Sequence, residues 1–417
     1  MLVVYPNGET VNYGFISGLL KTAQLENPKF SGKTIGVERL SLQEAERLIS
    51  LLEAEQVDSA KEVRYLRGKR EAKELSPFEM PSVEDLPVKA GGVYLITGGA
   101  GGLGRLFAEY IARTRDTKLI LTSRRKQSPL SESQLVLLHA TYYSCDVTDQ
   151  GAVEDLIKGI LDTHGRLDGI IHSAGVIKDS FLLKKTKEEA EGVLLPKIKG
   201  VQHLDEATKE LALDFMVYCS SLAGVMGNVG QADYASANAF MDAFAHHRNE
   251  LVHKGQRQGQ TLSINWPLWK EGGMQVAAAS EDYLEQTWGM QPLPTPEGIK
   301  AFTALLQQDS ARGMVVYGQP SKLERKLLSP VRKSNLKGKA PAIDTTQLQS
   351  EAEKVMLRFA SELLKLDVAH LSVDEELGDF GVDSILMTRF AHTLNEYYEI
   401  DLQPTVFFNY PTIGELS

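Results

Sequence analysis

The strand-like run VYLIT is followed by Gly98-Gly99-Ala100-Gly101-Gly102-Leu103-Gly104 and then by the helix-like LFAEYIARTR. Glycines at these spacings let a backbone approach a pyrophosphate, while the amides of the following helix face its negative charge. The expected contacts of this dinucleotide turn are Thr97, Gly98, Gly99, Gly101, Gly102, Leu103 and Gly104. The next strand-like run ends Thr122-Ser123-Arg124-Arg125, about twenty residues on, where NAD-binding folds keep an acid for the ribose hydroxyls. Guanidinium groups suit a 2′-phosphate instead, so Ser123, Arg124 and Arg125 point to NADPH over NADH. Cys145-Asp146-Val147 closes the third strand-like run and Ser173-Ala174-Gly175 the fourth, which completes the expected cofactor shell.

A second chemical centre stands near the C-terminus, in Gly-Asp-Phe-Gly-Val-Asp-Ser-Ile-Leu-Met at 378–387. A serine just after an acid, at the start of an amphipathic helix, is where carrier domains attach 4′-phosphopantetheine. Helix amides and the helix dipole would stabilise its phosphodiester. A plain helix cap is the other reading of Asp383-Ser384. Residues 341–417 hold 14 Asp/Glu against 4 Lys/Arg, which accounts for the whole net charge of −10. An acidic helical module behind a flexible linker fits a carrier docking on partner enzymes. A phosphopantetheinyl transferase would have to add the arm to Ser384.

Positioning these residues requires an α/β scaffold. Residues 86–318 alternate near-continuous apolar strands (VYLITG, KLILTSR, ATYYSCDV, LDGIIHSAG, DFMVYCSS, TLSINW) with helical stretches. That pattern predicts a doubly wound parallel sheet, Rossmann-like. Residues 1–85 show α/β patterning without a glycine turn and end in a Pro-rich stretch over 76–90; they read as a partial second Rossmann-like subdomain. Residues 319–345 are basic and rich in Pro, Ser and Gly, a flexible linker. Residues 346–417 predict a small four-helix bundle, with Leu348, Ala352, Val355, Met356, Phe359, Leu363 and Leu364 on one helical face.

Composition is that of a globular protein, with 24% charged and 42% hydrophobic residues. No apolar run approaches the roughly 18 residues of a membrane span and no leader is evident, so a cytoplasmic protein is expected. Cys145 and Cys219 lack metal or disulfide spacing and read as buried thiols; no metal site is expected. No broad basic face points to nucleic acid.

Taken in order, TGGAGGLG, SRR, HSAGV, LLPKIKG, YCSSLAG and YASANAF resemble the ketoreductase domains of modular polyketide synthases, within the short-chain dehydrogenase/reductase superfamily. The resemblance spans roughly 10–320, and a carrier-protein resemblance covers 346–417. It implies Tyr234 as general acid, Ser221 as hydrogen-bond donor to the developing oxyanion and Lys197 as the charge that lowers the Tyr234 pKa and orients ribose. Asn238 would place a relay water, standing where ordinary superfamily members have a lysine. Asn265-Trp266-Pro267-Leu268-Trp269 follows the sixth strand, where the family contacts nicotinamide, here through Pro267; Trp266 and Trp269 suit the site or the core equally. Residues 271–290 would form a lid.

The implied reaction is NADPH-dependent reduction of a carrier-tethered β-ketoacyl thioester, with other synthase domains as partners. The chain would then be a fragment of a larger synthase, its carrier truncated at the C-terminus. An α-keto substrate and a silent reductase scaffold beside a working carrier remain as alternatives. B-type members carry Leu-Asp-Asp after the HxAGV strand, and only its last acid survives here, as Asp179. The tryptophan of A-type members is replaced by Met226. Together these imply a D-configured hydroxyl, although Asp179 also reads as a helix cap.

Overall fold

The computed structural model describes residues 1–27, 29–38, 45–80, 87–274, 278–328, 345–364, 366–378, 384–398, 400, 402 and 406–417. Much of the expected linker over 319–345 and the residues 379–383 ahead of Ser384 lie outside that set.

The first sheet comprises β1 (Leu2–Pro6), β2 (Lys33–Val37), β3 (Glu62–Leu66) and β4 (Lys69–Ala72), in that order across the sheet. The first three run parallel, and β4 returns antiparallel through Arg67-Gly68, both at positive φ. β4 reads KREA and is exposed throughout, so no apolar alternation announces it. Ile35, Val37 and Val63 form this sheet's own small core.

The second sheet holds β5 (Val93–Thr97), β6 (Lys118–Ser123), β7 (Ala140–Ser144), β8 (Gly169–His172), β9 (Phe215–Ser221), β10 (Gln260–Trp266) and β11 (Arg312–Met314). All pair in parallel, in the order β11-β10-β9-β8-β5-β6-β7. β5, β6, β8, β9 and β10 are buried along nearly their whole length, because helices cover both faces, and this is why they read as unbroken apolar runs. β11, a three-residue edge strand, is too short to show a pattern. The chain order reverses between β5 and β8, and a crevice opens outside the carboxyl ends of strands at such a switch point. The register aligns those ends: Thr97 opposes Thr122 and His172, while Ser221 opposes Trp266.

Helix Lys187–Ala207 begins at a reciprocal capping box between Thr186 and Glu189 and carries Lys197. Helix Ala232–His253 carries Tyr234 and Asn238 one turn apart. Against it lies helix Phe15–Glu26 of the first sheet's half, so close that a Cβ at Gly18 would stand 2.3 Å from the Ala235 carbonyl oxygen.

In the C-terminal region, helices Thr345–Leu364, Ser384–Tyr398, Val406–Asn409 and Ile413–Leu416 enclose Met356, Ala360, Leu363, Leu386, Phe390, Leu394, Phe407 and Ile413. Phe390 stacks on Phe407 with ring centroids 5.4 Å apart. No helix among the described residues is long and apolar enough to cross a membrane.

Candidate active site

The crevice is a cleft of about 1460 Å³, at the carboxyl ends of β5, β6, β7, β8, β9 and β10. Gly98, Gly101, Gly102, Leu103 and Gly104 line it, with Ser123 at the end of β6 and Arg124 and Arg125 just beyond, Cys145 to Val147 beyond β7, and Ser173 to Gly175 beyond β8. Gly98 sits at φ +67°, and a Cβ there would meet the Ala174 amide nitrogen at 2.8 Å. The absence of side chains at this turn leaves helix Gly102–Ile111 pointing its free amides into the cleft. A dinucleotide pyrophosphate fits that cradle.

Thr97 and Gly99 do not line the cleft. Thr97 is fully buried beneath the turn, and its hydroxyl is hydrogen-bonded to His172 Nδ1 at 2.8 Å, tying β5 to β8. Burial leaves His172 neutral, its pKa down to about 3.

Ser221, Tyr234 and Lys197 come together on the other wall, with Pro267 beside them. Ser221 ends β9 and caps helix Leu222–Met226 through the Ala223 amide, at 3.2 Å. Lys197 is 4% exposed, and its Nζ donates to the Cys219 carbonyl oxygen at 3.0 Å and lies 5.4 Å from the centre of the Tyr234 ring. Gly175 makes room for it, since a Cβ there would stand 3.0 Å from Lys197 Cε. Burial pulls the Lys197 pKa down to about 8, so the ammonium keeps its charge at neutral pH.

The expected lowering of the Tyr234 pKa by Lys197 is not found. Burial pushes the Tyr234 hydroxyl above its ordinary value, and the Ser221 and Asn238 side chains offset only part of the rise. The Lys197 ammonium, 5.4 Å from the ring centre, does not reverse that rise.

Asn238 lies behind the wall rather than on it. Its Nδ2 donates to the Tyr234 carbonyl oxygen at 2.7 Å, while its fully buried Oδ1 has no partner among the described residues. An acceptor of this kind suits a bound water. Below it, Asn265 Nδ2 donates to Ser220 Oγ at 2.9 Å and to Asp242 Oδ2 at 2.8 Å. No motif marks Asp242 in advance.

The chain matches the KR domain family over residues 92–271 and the phosphopantetheine attachment site family over residues 354–417. The crystal structure of a ketoreductase domain from the bacillaene assembly line is 41% identical, with a TM-score of 0.72 over 78% of this chain and 79% of that one. The chain belongs to the ketoreductases of polyketide synthases. Polyketide synthases PksN and PksL of Bacillus subtilis (strain 168) are 40% and 39% identical over 99% and 96% of this chain. The chain spans only 8% and 9% of their lengths.

In this ketoreductase, Asp179 caps no helix. Gln231 Nε2 donates to both its carboxylate oxygens, at 3.0 and 3.1 Å, and both residues line the cleft with Met226. Gln231, three residues before Tyr234, was not singled out by any motif. Trp266 and Trp269 belong to the core and to the cleft wall at once, packed edge to face at 5.0 Å. Of the expected lid, Gly272, Gly273, Met274, Glu281, Leu284, Trp288 and Met290 line the cleft; residues 275–277 lie outside the described set.

The attachment-site family is one of carriers that hold phosphopantetheine covalently. Here helix Ser384–Tyr398 starts at Ser384.

Proposed function

We propose that this ketoreductase uses NADPH to reduce a carrier-tethered β-ketoacyl thioester to the β-hydroxyacyl thioester, and that Ser384 carries the phosphopantetheine arm. Residues 1–85 would serve as structural subdomain, 86–318 as catalytic subdomain, 319–345 as linker and 346–417 as carrier. The observation behind this reading is that Lys197 Nζ lies 5.4 Å from the Tyr234 ring, with Ser221 hydrogen-bonded to Tyr234, in one cleft that the glycine turn also lines. When bound, the nicotinamide supplies hydride to the carbonyl carbon.

The side chains do the rest. Tyr234, its pKa raised by burial, stays protonated at neutral pH and gives its proton to the carbonyl oxygen. Ser221 donates a hydrogen bond to the same oxygen as charge develops on it. The Lys197 ammonium beside the ring offsets the negative charge left on Tyr234. A water on Asn238 Oδ1 would return a proton. The test is turnover of a panel of short and carrier-bound keto thioesters with NADPH, both β and α. Binding of NADPH without oxidation on any of them would leave a scaffold in place of an enzyme.

Arg124 and Arg125 are exposed at the end of β6, where a 2′-phosphate would reach them. Losing one charge-assisted contact costs about 1.5–3 kcal/mol. Arg124→Ala is therefore expected to raise the NADPH KM about ten- to a hundredfold while leaving that for NADH within about twofold. Equal effects on the two cofactors would remove the arginine from this role.

Asp179, Gln231 and Met226 line the cleft with Tyr234, and the acyl chain would enter past them. The direction of entrance decides which ketone face meets the hydride. A D-configured (B-type) product is expected from a simple β-ketoacyl thioester. Chiral chromatography of the product checks this, and a predominantly L product would reverse it.

A further inference from the structure

The half of the molecule without a glycine turn reaches the loops of Asp179 and Gln231 through a buried carboxylate. Glu26 ends helix Phe15–Glu26 and is 3% exposed. Its Oε2 accepts the Leu182 amide at 2.8 Å and its Oε1 accepts the Gly230 amide at 3.0 Å. Those amides belong to the two loops that carry Asp179 and Gln231. The loops are also tied to each other, since the Ser180 amide donates to the Gly230 carbonyl oxygen at 2.9 Å.

Neighbouring contacts extend the clamp toward Tyr234. Lys185 Nζ pairs with Asp233 Oδ2 at 3.1 Å, both side chains nearly buried, and Asp233 Oδ1 accepts the Tyr234 amide at 2.8 Å. Thr22, one turn before Glu26, accepts the Asn228 amide at 3.2 Å. Gly227, at φ +76°, lets the chain pass so near that a Cβ would stand 2.9 Å from the Thr22 amide nitrogen. Burial pushes the Glu26 carboxyl up, opposed by the two amides and Lys185. A carboxylate suits this place because both its oxygens accept; an amide side chain would turn one donor toward a backbone N–H.

We propose that Glu26 is a positioning residue for ketone reduction: it locks the Asp179 and Gln231 loops together and so sets the substrate wall and its stereochemical bias. The inference rests on the reductase reading above, but its first test does not need turnover. Glu26→Gln in the full chain is expected to speed hydrogen exchange at residues 180–185 and 228–231 about tenfold, since one buried amide loses its acceptor. Exchange in the glycine turn and the NADPH dissociation constant should stay within about twofold.

In turnover, the thioester KM should rise more than kcat falls, and the share of the minor enantiomer should grow at least about fivefold, because small misplacements at a reacting centre are amplified. Thr22→Val, which frees only the 228–231 loop, should give the smaller change in that segment alone, and it serves if Glu26→Gln does not fold. Wild-type exchange rates and an unchanged enantiomer ratio in both variants would overturn the proposal. If wild type reduces no thioester, the reductase reading falls, while the exchange measurement still judges the clamp.

Discussion

Tyr234→Phe is expected to retain the fold and NADPH binding while losing about 10²- to 10⁴-fold in ketone reduction, the usual contribution of a positioned proton donor. Phenylalanine keeps the ring that packs 5.4 Å from the Lys197 ammonium and removes only the hydroxyl. The Tyr234 backbone contacts, its amide to Asp233 and its carbonyl oxygen to Asn238, do not depend on that hydroxyl and survive the change. An ordinary phenol is already protonated at neutral pH and burial raises the Tyr234 pKa further, so the wild-type group holds the proton it is proposed to give. Ser221 remains to polarise the carbonyl, which would leave a small residual rate. Saturating NADPH with a short β-keto thioester gives kcat for both proteins, and the melting temperature reports the fold. A rate within about threefold of wild type would move the acid to another residue or to water.

Ser384→Ala is expected to abolish loading of phosphopantetheine altogether. On the proposed assignment the hydroxyl oxygen would form the phosphodiester, so its loss would leave nothing to modify, whereas the other effects of the change are modest. Ser384 is the first residue of helix Ser384–Tyr398, where alanine is as good a helix former as serine or better. The helix itself is held by Leu386, Phe390 and Leu394 in the carrier core, which the substitution does not touch. Intact mass after incubation with coenzyme A and a broad transferase should show one added arm on wild type and none on the variant. Full modification of the alanine variant would place the arm elsewhere. Without the tether, substrate loses the millimolar effective concentration that a short flexible link supplies. Reduction of free thioesters should be unchanged, because nothing in the Ser221–Tyr234–Lys197 wall depends on Ser384.

The amino-acid sequence by itself determined the features whose signal is local. The glycine spacing at 98–104, the apolar runs that became β5, β6, β8, β9 and β10, and the apolar face of helix Thr345–Leu364 are all written within one turn or one strand. Ser221, Lys197 and Tyr234 were legible only as a set of motifs in a fixed order; their convergence is the work of parallel crossovers that bring every strand's carboxyl end to one edge. Two elements, β4 and β11, were hidden because an exposed or three-residue strand has no periodicity to read.

The tertiary structure alone decided which polar side chains meet across long stretches of chain. Glu26 and Gly230 are 204 residues apart, and Asp179 and Gln231 are 52 apart; neither pair leaves a trace in spacing or composition. It also decided that Thr97 lies under the cofactor cradle, that Trp266 and Trp269 are both core and cleft wall, and that burial raises rather than lowers the Tyr234 pKa. The reason is the same in each case. Periodicity records which face of an element is buried, but the identity of the neighbour, and the water it displaces from a carboxylate or a phenol, are set only when the elements pack.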